Sequence, residues 1–116
     1  LNIDKFGGTK MNIRELPKSE LTIMNIIWEY RGRASSRVIA QKAEEIRGWK
    51  RTTTLTLLTR LVEKGILERE KKFNIFYYNV KVEKEDYTLY ATELFLETLF
   101  NGSKEELKKV LDKIEI

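Results

Sequence analysis

Apolar residues recur at three- and four-residue intervals between Lys18 and Tyr30. Leu21, Met24, Ile27 and Trp28 share one stripe and Ile23 widens it. This is the spacing of a helix with one face on a core. Pro17 and Ser19 suit its start, and Gly32 is available as a left-handed cap after it. Ser35 or Ser36 can cap a second helix over about residues 37–46, packed through Val38, Ile39, Ala40 and Ala43. Gly48 breaks that helix. Trp49, Lys50 and Arg51 lead into a third over residues 52–64, which Gly65 ends. Two helices joined by a short glycine-containing turn are a helix-turn-helix pattern. Residues 67–71 and 75–80 read as two strands, the second rich in β-formers (Ile75, Phe76, Tyr77, Tyr78, Val80). No Asn-Gly or Asp-Gly pair fixes the turn between them.

The third helix is two-sided. At about 100° per residue, Leu55, Leu58, Leu61 and Val62 fall on one side, and Thr53, Thr56 and Arg60 on the other. Leu57 lies at the edge of the polar side, where its methyls can meet a thymine methyl. Short hydroxyl side chains let a helix approach DNA closely. Arg60 can reach a phosphate or the O6 and N7 of guanine. Lys50 and Arg51 can hold phosphates at the helix start. Arg69, Lys71 and Lys72 put positive charge on or near the hairpin tip, where they can touch backbone phosphates or the minor groove beside a helix lying in a major groove. The plainer alternative is a solvated surface that happens to be basic. Against it, threonine is a mediocre helix former, and Thr52-Thr53-Thr54, Thr56 and Thr59 are an odd choice for idle surface. Trp28 and one of Tyr77 or Tyr78 belong to the core. Phe73 can insert toward DNA, but its expected placement is packed on the hairpin or half exposed. Trp49 either braces the turn before the third helix or offers its indole N–H to a phosphate.

Residues 83–100 form a long helix that is apolar on too many sides for one neighbour. Tyr87, Tyr90, Ala91, Leu94 and Phe95 share a broad side, while Leu89, Leu96, Leu99 and Phe100 lie largely elsewhere. Asn101-Gly102 ends it. Ser103 to Glu106 has capping-box spacing, and Leu107, Val110, Leu111 and Ile114 stripe a last helix. A second copy of the same helices would satisfy these faces. The dimerisation surface read from this pattern is Tyr87, Tyr90, Ala91, Leu94, Phe95, Leu99, Leu107 and Leu111. Three segments follow: an arm over residues 1–15, a DNA-binding head over 16–80 and a helical dimerisation region over 81–116.

Composition narrows the chemistry. The 116 residues contain no Cys and no His. Disulfides, thiol nucleophiles, imidazole bases and zinc-finger ligand sets are excluded, so an enzyme is disfavoured and no cofactor or metal site is expected. The pairs Glu44-Glu45 and Glu105-Glu106 read as helix-surface charge. Net charge is +4, which suits a polyanion but by itself moves the reading little. No apolar run reaches the roughly 18 residues of a membrane span and no secretory leader is visible, so the expected place is the cytoplasm. The fold class is mainly α with a small antiparallel β wing, a winged helix-turn-helix followed by dimerisation helices. Its expected partners are double-stranded operator DNA and a second copy of the chain. A winged-helix protein-interaction module or a nonspecific architectural DNA binder is the alternative.

The details resemble the penicillinase repressor family, which includes the beta-lactamase and methicillin-resistance repressors. The resemblance rests on the segment from Leu16 to Trp28, on Thr53-Thr54-Leu55-Thr56-Leu57-Leu58-Thr59-Arg60-Leu61-Val62-Glu63-Lys64-Gly65-Ile66-Leu67, and on Asn74-Ile75-Phe76-Tyr77-Tyr78. Ala91, Phe95, Leu96 and Asn101-Gly102-Ser103 are similar to the start of the family's dimerisation region. It implies an N-terminal winged helix, C-terminal helices that intertwine in a homodimer, and repression at palindromic operators. It also implies that Thr53, Thr56 and Arg60 face DNA, with Lys50 and Arg51 beside them. Four departures stand out. The segment between the Gly-Ser turn and the last helix is short, which weighs against sensor-dependent cleavage there. The cysteines of copper-responsive members are missing. Pro17 replaces the hydroxyl residue common at the first helix cap, and the wing turn carries Phe73-Asn74 in place of a Gly-Arg element.

Overall fold

The computed structural model describes residues 14–115. Of the arm expected over residues 1–15, only Arg14 and Glu15 fall among them, both exposed. The described chain divides into a head ending at Lys84 and a tail beginning at Glu85. The head contains α1 (Lys18–Glu29), β1 (Arg33–Ser35), α2 (Ser36–Arg47), α3 (Arg51–Glu63), β2 (Leu67–Lys72) and β3 (Ile75–Val80). α4 (Lys84–Phe100) and α5 (Lys104–Leu111) follow. Among the described residues, no helix is long and apolar enough to cross a membrane.

Local chemistry accounts for most boundaries. Pro17 precedes α1 without a capping side chain, and its carbonyl accepts the Leu21 N–H at 2.9 Å. Of the two serines before α2, Ser35 is the cap: its Oγ accepts the Val38 N–H at 3.2 Å, an interaction worth about 1 kcal/mol to a helix. Gly48 closes α2 at φ 69°, donating to the Glu44 carbonyl at 2.7 Å.

The hairpin gains a strand that the sequence pattern does not announce. β1 is three residues long, too short to show alternation. It exists because the chain reverses immediately after α1, with Arg31 at φ 60° and Gly32 at φ 84°. The Val80 N–H then donates to the Gly32 carbonyl at 2.8 Å. A Cβ on Gly32 would lie 2.8 Å from Val80 Cγ2, so the close approach of the strands requires glycine. The antiparallel sheet has the order β1-β3-β2, with Ala34 opposite Tyr78, Arg69 opposite Tyr78 and Leu67 opposite Val80.

The core lies between α1, α2, α3 and one face of this sheet. It is filled by Ile23, Met24, Ile26 and Ile27 from α1, by Ile39, Ala40 and Ala43 from α2, and by Leu58 and Leu61 from α3, with Ala34, Ile66, Leu67, Tyr78 and Val82. Tyr78 is the buried member of its pair and Tyr77 is half-buried. Trp28, expected inside, sits half-buried at the rim, where its indole N–H donates to the Val82 carbonyl at 3.0 Å. With the Lys81 N–H on the Ile66 carbonyl at 2.9 Å, this bond carries the head past β3 to residue 84.

α3 is rolled by about 60° from the orientation its leucines suggest. Thr54, Leu57, Leu58 and Leu61 are buried, while Leu55 and Val62 are only half-buried. Leu57, expected at the groove-facing edge, is therefore a core residue. Apolar side chains span about 160° of this helix's circumference, a wider arc than the buried stripe, so spacing alone does not fix which edge turns inward. At the far end of α3, the buried Glu20 carboxylate of α1 meets Lys64 Nζ at 2.5 Å. A carboxylate this enclosed needs such a partner, since removing one member of a buried pair strands the other.

Thr54 Oγ1 is fully buried with no hydrogen-bond partner. Thr54→Val keeps the shape and removes the stranded hydroxyl, so it should stabilise the head by about 1 kcal/mol. Urea denaturation checks this, and an unchanged or lower midpoint would contradict it.

Candidate nucleic-acid interface

The roll that buries Leu57 leaves Thr53, Thr56 and Arg60 exposed together, within about 60° of arc on α3. Thr52 and Thr59 continue the polar surface. Thr56 Oγ1 donates to the Thr52 carbonyl and Thr59 Oγ1 to the Leu55 carbonyl, both at 2.9 Å. Each hydroxyl proton is thus spent inside the helix. What these threonines present outward is a methyl and acceptor lone pairs.

The start of α3 is prepared for an anion. Lys50 precedes the helix and Arg51 opens it, with no capping side chain and no acid in the first turn. Cations there oppose the helix dipole, a cost that a phosphate near the free N–H groups would reverse. Trp49, just before, is half-buried. A surface pocket between α2 and α3 is lined by Arg37, Ala40, Gln41, Glu44 and Arg51. Arg37 and Gln41 were not singled out from sequence. Their i, i+4 spacing places them on one side of α2, but only the approach of α2 to the start of α3 brings that side beside Arg51.

The hairpin separates its cations by face. Arg69 and Lys71 alternate with Leu67 and sit opposite Tyr78 and Phe76, so they extend the face that carries the core. The Arg69 guanidinium lies 4.8 Å from the Phe76 ring centroid and Lys71 Nζ 5.6 Å from it. Lys72 belongs to the other face with Glu68 and Glu70. On that face Arg33 of β1 meets Glu70 at 2.6 Å and lies 4.1 Å over the Tyr77 ring. Phe73, expected against the hairpin or half exposed, is 87% exposed. It is one of only two residues between the strands, so its backbone turns it away from the sheet.

The tail has almost no interior of its own. Of its described residues only Tyr87 is buried. Tyr90, Ala91, Leu94 and Leu107 are half-buried, while Phe95, Leu99 and Leu111 are exposed. Leu89, Val110 and Ile114 are exposed as well. Ser103 Oγ accepts the Glu106 N–H at 3.2 Å and starts α5.

Three helices, a three-strand wing and an exposed polar face on the third helix define a winged helix-turn-helix protein of the DNA-binding class. Comparison with known proteins carries the identification further. The family profile described as Penicillinase repressor matches residues 16–113. The methicillin resistance regulatory protein MecI of Mammaliicoccus sciuri is 34% identical over 101 residues, covering 87% of this chain and 80% of that protein. The penicillinase repressor of Staphylococcus aureus is 30% identical over 95 residues, 80% of this chain and 73% of that one. Among solved structures, the DNA-binding domain of the repressor BlaI aligns with a TM-score of 0.57 at 26% identity, over 63% of this chain and 88% of that domain. The monomeric form of Bacillus licheniformis BlaI, solved in complex with the blaP half-operator, gives 0.57 at 27% identity, over 65% and 90%. The chain belongs to the penicillinase repressor family of winged-helix, DNA-binding transcriptional repressors, which are not enzymes.

Arg37→Ala should weaken binding to duplex DNA several-fold at about 0.1 M salt, and lower the slope of log affinity against log salt by roughly 1. A titration across salt concentrations measures both. An unchanged slope would remove Arg37 from the phosphate contacts.

Proposed function

We propose that the protein represses nearby genes as a homodimer on a palindromic operator, each head placing α3 in a major groove. The observation that carries this reading is the exposed cluster Thr53, Thr56 and Arg60 on a helix that buries Thr54, Leu57, Leu58 and Leu61 on its inner side. Arg60 reads a base edge or a phosphate, Thr53 offers its hydroxyl, and Thr56 offers a methyl and an acceptor to the groove. Lys50, Arg51 and Arg37 hold the backbone at the start of α3. Arg69, Lys71 and Lys72 hold it at the wing. The relative solved with the blaP half-operator uses the same head architecture, which supports this arrangement.

The dimer follows from what the tail leaves open. A helix of 17 residues that exposes Leu89, Phe95 and Leu99, followed by one that buries nothing, has more apolar surface than its own chain covers. A second copy supplies the matching surface through Tyr87, Tyr90, Ala91, Leu94, Phe95, Leu99, Leu107 and Leu111. Two heads on one dimer read two half-sites about one helical turn, or a multiple of it, apart. Their joint affinity exceeds that of either alone. Occupying the operator blocks transcription of the adjoining genes, in the cytoplasm.

Selection from random duplex DNA followed by sequencing tests the reading. It should enrich an inverted repeat, and enrichment of no sequence would refute it. Arg60→Ala should keep the fold and lose at least about tenfold in affinity for the selected duplex. Undiminished binding in a fluorescence titration would take Arg60 out of the interface. Leu99→Glu combined with Leu111→Glu should halve the solution mass measured by light scattering, and an unchanged mass would move the dimer surface elsewhere.

A further inference from the structure

The tip of the wing carries an apolar group that operator reading through α3 does not use. β2 and β3 are joined by Phe73 and Asn74 alone, at φ 52° and 64°. Two positive φ angles are the pattern of a type I′ turn, which favours Asn or Gly. Asn74 suits its position. Phenylalanine at positive φ is uncommon and strained, and at 87% exposure the ring gains almost no burial in return. Ile75 and Phe76 are exposed just behind it. Around this apolar tip stand Arg69, Lys71 and Lys72, with the nearest acid, Glu70, held by Arg33 at 2.6 Å.

An apolar knob with a cationic collar matches the minor groove of duplex DNA. That groove is narrow, about 6 Å across, with apolar deoxyribose walls and a phosphate ridge on either side. Only residues 64–66 separate α3 from β2. A helix seated in a major groove therefore leaves the hairpin at the adjacent phosphate ridge and the minor groove beyond it. We infer that Phe73 enters the minor groove flanking each half-site and packs its ring on the sugar walls, a shallower use of an apolar side chain than the wedges that other minor-groove binders drive between base steps. The wing then adds a readout of groove width to the base contacts of α3. This inference rests on the operator-binding reading above.

The test uses the full chain and a labelled duplex recovered by selection from random DNA. Phe73→Gly relieves the turn, so its thermal midpoint should equal or exceed that of the wild type. Its affinity should nevertheless fall by about tenfold, while Phe73→Leu retains most of the binding. Diaminopurine in place of adenine beside the half-sites adds a minor-groove amino group and leaves the major-groove edge unchanged. The wild type should lose affinity on that duplex by a similar factor, and Phe73→Gly should be indifferent to it. Equal affinities for Phe73→Gly and the wild type, with Arg60→Ala still impaired, would overturn the wedge and leave operator reading intact. So would a loss accompanied by a lower thermal midpoint, since the role would then be structural. A wild type without preference for any selected duplex would remove both readings together.

Discussion

Everything that α3 presents to the outside depends on the four side chains behind it. Thr54, Leu57, Leu58 and Leu61 form the dry stripe that sets the roll of the helix, and with it which residues look outward. A rotation of one position, about 100°, would bring Leu57 to the surface and swing Arg60 aside. The ion pair between Glu20 and Lys64 fixes the C-terminal end of the same helix to α1. Burying a carboxylate is costly unless it is paired, so this contact penalises alternative seatings of α3 more than it adds stability to the right one. Gly65 and Ile66 then pass that fixed orientation directly into the wing.

The helices were legible in the sequence because their signals are local. Three- and four-residue spacing, Ser35 before α2, Gly48 after it and Ser103 before α5 each act within a turn or two of the backbone. β1 was not legible, because three residues show no period and their pairing with residues 77–79 is a long-range contact. The roll of α3 was not legible either, for a related reason. Leu55 and Val62 are as apolar as Leu57, and only the packing of α1 and α2 decides among them. The exposure of Thr53, Thr56 and Arg60 could be read from their grouping opposite the leucines. Arg37 and Gln41 could not, since their relevance comes from the approach of α2 to the start of α3.

The chemistry of the exposed face is also shaped by the helix that carries it. Threonine in a helix tends to donate its hydroxyl to the carbonyl four residues back, and Thr56 and Thr59 do so. Their outward character is therefore that of small methyl groups with acceptors beside them. Positive charge lies elsewhere, in Arg37, Lys50 and Arg51 around the start of α3 and in Arg69, Lys71 and Lys72 on the wing. In the binding mode proposed above, attraction and discrimination fall to different residues, which lets one vary without the other.

β1 has a mechanical consequence. A free two-stranded ribbon is only marginally stable in water, yet here β1 pairs with the base of β3 at residues 77–79 and leaves only the last two pairs, Lys71 with Phe76 and Lys72 with Ile75, overhanging. That cantilever is about 7 Å long, too short to flex far. The head therefore works as a caliper with a set span between its reading helix and its fingertip. In the binding mode proposed above, a duplex that does not match that span must itself yield, and the stiffness of sequences flanking the contacted bases becomes part of what is measured.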